Sequence, residues 1–396
     1  MNEKTADYIR LHADDDVRQL ALKGTKDLDV DLPFALDQIA GRQTARRKLP
    51  SWAASDGIIY PHHLSMEQCS SEQTARYKAR LAGSGRRMTD LTGGFGVDFS
   101  FMAPAFTEAI YVEQQTALCD IARENFKTLG LNATVVNEDA VEYLRKMSHA
   151  DLIYLDPARR DTHGQRTYGI SDCTPDVLAI RDLLLEKADR VIIKLSPMLD
   201  WRKAVNDLGN SFVSEVHIVS VQNECKELLL VLNSHSTEDA EPRLYCVNDD
   251  TVFAVSQDIQ HNQKTQSIQE YQGAYLYEPN ASIMKAGCFD AVCETFSVSP
   301  LADNSHLFVS DRQIAEFPGR MFCINALTTL NKRELRSALS GLQQANIAVR
   351  NFPLSVAQLR QRLKLSEGGS TYIFATTLAN GSHVLLLCSK TMTLSV

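Results

Sequence analysis

Asp90-Leu-Thr-Gly-Gly-Phe-Gly96 is the stretch on which the fold turns. It follows a short apolar run, Met88–Leu91, that reads as a strand. Gly93, Gly94 and Gly96 let the backbone turn tightly and approach a ligand with no side chain in the way. The next segments repeat the pattern of an apolar run stopped by a polar residue. Ile110-Tyr-Val112 ends at Glu113, Thr134-Val-Val136 at Asn137, Asp151-Leu-Ile-Tyr-Leu155 at Asp156, and Arg190-Val-Ile-Ile-Lys-Leu195 at Ser196. Stretches between them, such as Thr116–Leu129, have helical spacing and length. Strand and helix alternating in this way predict an α/β domain: a parallel sheet covered on both faces. Ser214–Gln222 and Glu227–Asn233 predict a hairpin at its edge.

Ligands of such sheets bind at the carboxyl ends of the strands. Here those ends carry Asp90 and the glycines, Glu113, Asp139 within Asn137-Glu138-Asp139-Ala140, and Asp156-Pro157-Ala158-Arg159. Glu113 can accept hydrogen bonds from both hydroxyls of a ribose, and Asp139 from an adenine amino group. A dinucleotide site also has a glycine turn and an acidic strand end. However, G-x-G-x-x-G fails when started at Gly94, because Phe99 holds the third glycine position. A dinucleotide site also gives no reason for the Asp156–Arg159 run.

The totals limit the function classes. With 396 residues, 44% hydrophobic and 23% charged, several soluble domains are expected. No apolar run approaches the roughly 18–20 residues of a membrane span. The start, MNEKTADYIRLHADDD, is not a secretory signal. Nine scattered cysteines without a C-x-x-C pair argue against zinc and against a disulfide framework, and for a reducing cytoplasm; no metal is expected. The net charge of −8 conceals two basic stretches, from Arg42 to Arg87 and from Asn331 to Leu365. They read either as solubilising helix charge or as faces for an acidic partner.

Residues 1–85 read as a helical region, 86–235 as the sheet domain, 236–319 as a connector and small α+β unit, and 320–396 as a second small α+β domain. In that last domain the order is strand, helix, strand, helix and two strands, and Asn380-Gly381 marks a hairpin. A Gln-rich stretch at 257–272 reads as a loop or a mobile helix.

The ordered set Asp90–Gly96, Glu113, Asp139 and Asp156–Arg159 resembles the motifs of class I methyltransferases, whose sheet is Rossmann-like. Leu64–Lys78 is similar to the serine-and-acid helix start that touches the methionine end of the cofactor in trimethylguanosine synthase-like enzymes. Ser70 or Ser71, with Glu72, would fill that role, although Ser71 could equally cap its own helix. From about residue 45 onward the chain resembles a bacterial methyltransferase family with a ferredoxin-like unit and a THUMP-like domain. Arg350-Asn-Phe-Pro-Leu354 and Gly369-Ser-Thr-Tyr-Ile-Phe374 fit that last domain. The resemblance implies S-adenosylmethionine as cofactor and RNA, tRNA in particular, as substrate.

In amino-methyltransferases the residues matching Asp156 and the Pro157 carbonyl accept hydrogen bonds from the target nitrogen. Arg159 stands where an aromatic residue would stack on the base. The Asp156–Arg159 run also looks like the loop of RNA uridine C5-methyltransferases, but those need a cysteine nucleophile after the fifth strand. Here Lys194-Leu195-Ser196-Pro197 has none. Methylation of a nitrogen or oxygen without a covalent intermediate is therefore expected. Lys194 and Ser196 face that strand end and could contact substrate, or else are only a strand terminus with a surface lysine; Arg46, Arg47 and Lys48 are expected near the target nucleotide. Asp161, His163 and Tyr168 lie on the loop after Asp156. A cofactor-binding protein without catalysis and a small-molecule methyltransferase are the alternatives. The oligomeric state is not legible.

Overall fold

The computed structural model describes residues 2–159, 169–233, 241–255, 272–302 and 304–391. They fall into two compact units, residues 1–221 with 226–242, and residues 222–225 with 243–396. Asp161, His163, Tyr168 and nearly all of the Gln-rich stretch lie outside the described residues.

The first unit opens with six helices: α1 (Glu3–Leu11), α2 (Val17–Lys23), α3 (Leu32–Lys48), α4 (Pro50–Ala53), α5 (His63–Gln68) and α6 (Glu72–Ala82). Asn2, Asp16, Asp31 and Ser71 each accept a hydrogen bond from a first-turn amide, so the sequence marks where four of them begin. Arg46, Arg47 and Lys48 fill the last turn of α3, where cations offset the negative end of the helix dipole. Leu49, Trp52, Tyr60 and Ala75 are buried in one apolar cluster with Phe95 and Val97. That cluster fastens the helical region to the glycine loop.

The strands follow as the alternation predicts: β1 (Gly85–Asp90), β2 (Phe106–Glu113), β3 (Ala133–Asn137), β4 (Ala150–Leu155), β5 (Ala158–Arg159), β6 (Cys173–Thr174), β7 (Ala188–Leu195), β8 (Val213–Val221) and β9 (Glu224–Asn233). Within this unit the large sheet runs β3-β2-β1-β4-β7-β9-β8. The first five are parallel, and β9 is antiparallel to β7. The order reverses between β1 and β4, and such a switch point opens a crevice at the carboxyl ends of those strands. Register aligns Asp90 with both Tyr111 and Tyr154, so the ends of β1, β2 and β4 lie level. Met88, Phe99, Phe126, Leu152 and Ile192 fill the core, each worth about 1.5–3 kcal/mol on burial. The two-residue strands β5 and β6, which periodicity does not reveal, pair Ala158 with Thr174 and Arg159 with Cys173.

The second unit contains the hairpin of β10 (Arg243–Asn248) and β11 (Thr251–Ala254). Its other strands are β12 (Tyr275–Pro279), β13 (Ser299–Pro300), β14 (Phe308–Ser310), β15 (Gly319–Thr328), β16 (Asn346–Arg350), β17 (Thr371–Thr377) and β18 (His383–Lys390). They form one sheet in the order β13-β14-β12-β15-β18-β17-β16. Asn380-Gly381 turns between β17 and β18, with Gly381 at φ +81°. Pairing of β12 with β15 joins 275–318 to the tail in a single sheet. Glu278, 3% exposed, binds Arg320 and Arg350 across that junction.

Candidate active site

The glycine loop is stitched to both neighbouring strands. The Leu91 amide donates to the Tyr154 carbonyl at 3.0 Å and the Gly93 amide to the Val112 carbonyl at 2.9 Å. Gly93 is required by space, since a Cβ there would lie 2.1 Å from the Tyr111 ring. Gly96 is required by conformation: at φ +83° it precedes a short helix, α7 (Val97–Met102). Tyr111 donates its hydroxyl hydrogen to the Gly94 carbonyl.

Glu113 closes the other side of the loop. One carboxylate oxygen accepts from the Gly94 amide at 3.0 Å and the other from the Gln115 amide at 2.8 Å. Each oxygen keeps a second lone pair, so the group can still receive a ribose diol. Asp90 is 1% exposed and accepts from the Thr92 amide at 2.9 Å. Burial pushes its carboxyl well above the usual range, and the charges of Asp98, Asp156 and Glu113 add to the shift. A ligand that brings positive charge would favour the ionised form of this carboxyl. Asp139 caps the helix Ala140–Lys146, accepting from the Val141 and Glu142 amides, and is exposed at the end of the Glu113 side.

Asp156 stands at the switch point. Its amide donates to the Thr92 hydroxyl at 2.6 Å, and its carboxylate receives Lys194 Nζ at 2.5 Å. The side chain is 40% exposed, whereas that of Lys194 is 12% exposed. Pro157 is buried beside it. The Arg159 backbone lies in β5, but its side chain is outside the described residues. Ser196 accepts from the Met198 amide at 3.3 Å in the turn after β7.

In the upstream segment the capping alternative for Ser71 is the one seen. Ser71 caps α6, and Glu72 accepts from the Ser51 amide and from Arg76. Ser70 reaches furthest inward, donating to Asp98 on α7 at 2.8 Å. Arg46 pairs with Asp14. Lys48 donates to the Met66 and Glu67 carbonyls. Of that trio, Arg47 alone is exposed without such a bond among the described residues.

Sequence reasoning missed a buried network beneath Asp156. Lys78, wholly buried, donates to both Glu227 oxygens at 2.6 Å and to Ser70 at 3.0 Å, and lies 3.2 Å from Asp98. Tyr154 donates to Asp98 at 2.7 Å, and Lys194 lies 3.7 Å from the same carboxylate. Burial alone would raise the Asp98 carboxyl, but the Lys78 and Lys194 ammoniums hold it below the usual range. One signal was open to reading: Glu227 directly precedes the apolar run Leu228–Leu232 of β9.

The structure matches a crystal structure from Porphyromonas gingivalis W83 assigned as a methyltransferase. Identity is 32%, coverage is 99% of this chain and 100% of that one, and the TM-score is 0.86. The chain belongs to this methyltransferase family. Family models identify a ferredoxin-like domain at 275–318 and a THUMP domain-like region at 319–390. More distant is a protein from Listeria monocytogenes assigned as a class I S-adenosylmethionine-dependent methyltransferase, at 10% identity over 63% of this chain and 94% of that one, TM-score 0.40. TrmK from M. capricolum, in complex with S-adenosylhomocysteine, is 11% identical over 42% of this chain and 71% of its own, TM-score 0.33. Comparison with curated proteins finds no match. Among the described residues of this methyltransferase, no group of three His, Cys, Asp or Glu could hold a metal, and no helix is long and apolar enough to cross a membrane.

Proposed function

We propose that this methyltransferase uses S-adenosylmethionine to methylate a nitrogen or oxygen of an RNA nucleotide, tRNA being the first substrate to try, in the cytoplasm. The observation that carries the reading is Asp156, a half-exposed carboxylate fixed at the switch point by Thr92 and Lys194. Glu113 would hold the ribose, the Gly94–Gly96 backbone would pass close to the cofactor, Asp139 would accept from the adenine, and Asp90 would face the positive end. Ser71 and Glu72, at the start of α6, would meet the methionine end of the cofactor. The cofactor supplies an electrophilic methyl on a sulfonium.

Asp156 and the Pro157 carbonyl accept hydrogen bonds from the target group, orient its lone pair and raise its electron density. Catalysis is then mainly positioning and fixed electrostatics. No thiol follows β7, in keeping with direct transfer. Calorimetry tests the cofactor assignment. Micromolar S-adenosylhomocysteine binding is expected, with none for NAD. Glu113→Ala should weaken binding by about 2–3 kcal/mol, roughly 30–150-fold, because two charge-assisted bonds disappear. NAD binding without a response to S-adenosylhomocysteine would overturn the reading.

RNA is supported by cations that the second unit leaves exposed: Lys332, Arg333 and Arg336 on the helix Lys332–Ala338, and Arg362 and Lys364 at the end of the helix Val356–Leu363. Arg320 and Arg350 are committed to Glu278 and are excluded. Deleting the tail would strip β12 of its partner β15, so point variants are the cleaner probe. Replacing Lys332, Arg333 and Arg336 together by alanine should weaken tRNA binding and flatten its salt dependence by about 0.9 log unit per lost phosphate contact. Filter binding at two salt concentrations measures both. Absence of RNA binding by the full chain at low salt would remove RNA as the substrate.

A further inference from the structure

Lys194 is a lysine on a strand of the parallel sheet, between two apolar neighbours that are themselves buried, Ile193 and Leu195. A cation in that position needs a reason. Its Nζ meets Asp156 at 2.5 Å and Asp98 at 3.7 Å. The titratable and charged groups around it are Asp156 on the loop after β4, Asp98 on α7 and Glu227 on β9, with Lys78 on α6 and the Tyr154 hydroxyl on β4 one contact further. Lys78 is already matched by Glu227, which binds it through both oxygens. Asp98 is matched by Lys78, Tyr154 and Ser70. The group left to balance Lys194 at hydrogen-bonding distance is Asp156. The ammonium takes one carboxylate oxygen, Oδ2, and among the described residues Oδ1 has no partner.

We infer that Lys194 is a positioning residue: the buried Lys78–Asp98–Glu227 network anchors its ammonium, which clamps one oxygen of Asp156 and presents the other to the substrate. This rests on the assignment of Asp156 made above. A carboxylate on a half-exposed loop would otherwise rotate and exchange its partners with water. Held at Oδ2 by Lys194 and at its amide by Thr92, Asp156 keeps one orientation before substrate arrives. Such preorganisation makes an acceptor effective in the transition state. The hydrogen bonds of Gly94 and Glu113 do not involve Lys194, so cofactor affinity should be independent of it.

The test is a double-mutant cycle between Lys194→Ala and Asp156→Ala, read in transfer of tritiated methyl from S-adenosylmethionine to total RNA from a strain deleted for the gene. Lys194→Ala should lower kcat by about 30-fold or more, with KM for the RNA changing only a few-fold. The double variant should be no slower than Asp156→Ala alone, because Lys194 acts through Asp156. Lys194→Arg, which keeps the charge and a donor, should recover at least part of the rate and guards against simple misfolding. Calorimetry with S-adenosylhomocysteine should give an affinity within a few-fold of wild type for all variants. Multiplicative losses in the cycle would overturn the inference while leaving the methyltransferase reading intact, as would Lys194→Ala at the wild-type rate. A wild-type protein that binds S-adenosylhomocysteine but methylates none of this RNA would instead strike down the substrate reading and the inference with it.

Discussion

Asp156→Ala is expected to cut methyl transfer by about a hundredfold or more, on the order of 3 kcal/mol of transition-state stabilisation, while cofactor affinity stays within a few-fold. The split follows from the geometry. Among the described residues, the Asp156 carboxylate hydrogen-bonds to Lys194 and to no group of the glycine loop; its backbone amide bonds to Thr92. Alanine preserves that amide bond, so Asp90–Gly96 and Glu113 keep their places. What disappears is the acceptor at the switch point, together with the counter-charge of Lys194. Turnover is measured with the tritiated methyl group, and affinity by calorimetry with S-adenosylhomocysteine. Equal losses in both would assign Asp156 to the cofactor pocket instead. Unchanged turnover would remove it from the mechanism.

The fold is largely legible in the sequence because its signals are local. Each parallel strand is a short apolar run with a polar stop, and the stops at Asp90, Glu113, Asn137, Asp156 and Ser196 stand at or one residue past the strand ends. The Asn380-Gly381 turn is likewise written in two residues. The charge network is hidden because it joins residues far apart in sequence. Lys78 and Glu227, 149 positions apart, meet only once α6 lies against the sheet. Read along the chain, Lys78 is one more cation between Arg76 and Arg80, although helical spacing sets it opposite them, on the face of Thr74, Ala75 and Ala82. In the fold it is wholly buried, while Arg76 pairs with Glu72 and Arg46 with Asp14. The basic stretch before β1 therefore offers fewer free cations than its composition suggests. The pairing of β12 with β15 is hidden for the same reason, since alternation within a strand does not name its partner.

Replacing Lys78 with methionine should destabilise the first unit severely. The side chain is wholly buried, and its loss leaves Glu227 without its bidentate partner and Asp98 with Lys194 as its counter-charge beside the Ser70 and Tyr154 hydroxyls. Stranding a buried charge costs about 3–5 kcal/mol, which for a unit of this size lowers the melting midpoint by roughly 6–20 °C. Both tryptophans, Trp52 and Trp201, lie in the first unit, so tryptophan fluorescence follows its unfolding separately from the second. The deficit should also depend on pH. Burial holds the Glu227 carboxyl above the usual range even with Lys78 present. An acid whose folded-state pKa is raised keeps its proton to a higher pH when folded, so the penalty grows as pH rises through that interval. Lys78→Met should accordingly lose less stability at pH 5 than at pH 8. Lys78→Met with Glu227→Met removes one charge of each sign and should recover most of the loss, because apolar groups of similar volume often replace a buried ion pair without penalty. A double variant as unstable as the single one, with no dependence on pH, would mean that Lys78 acts through packing of its alkyl chain and not through its charge.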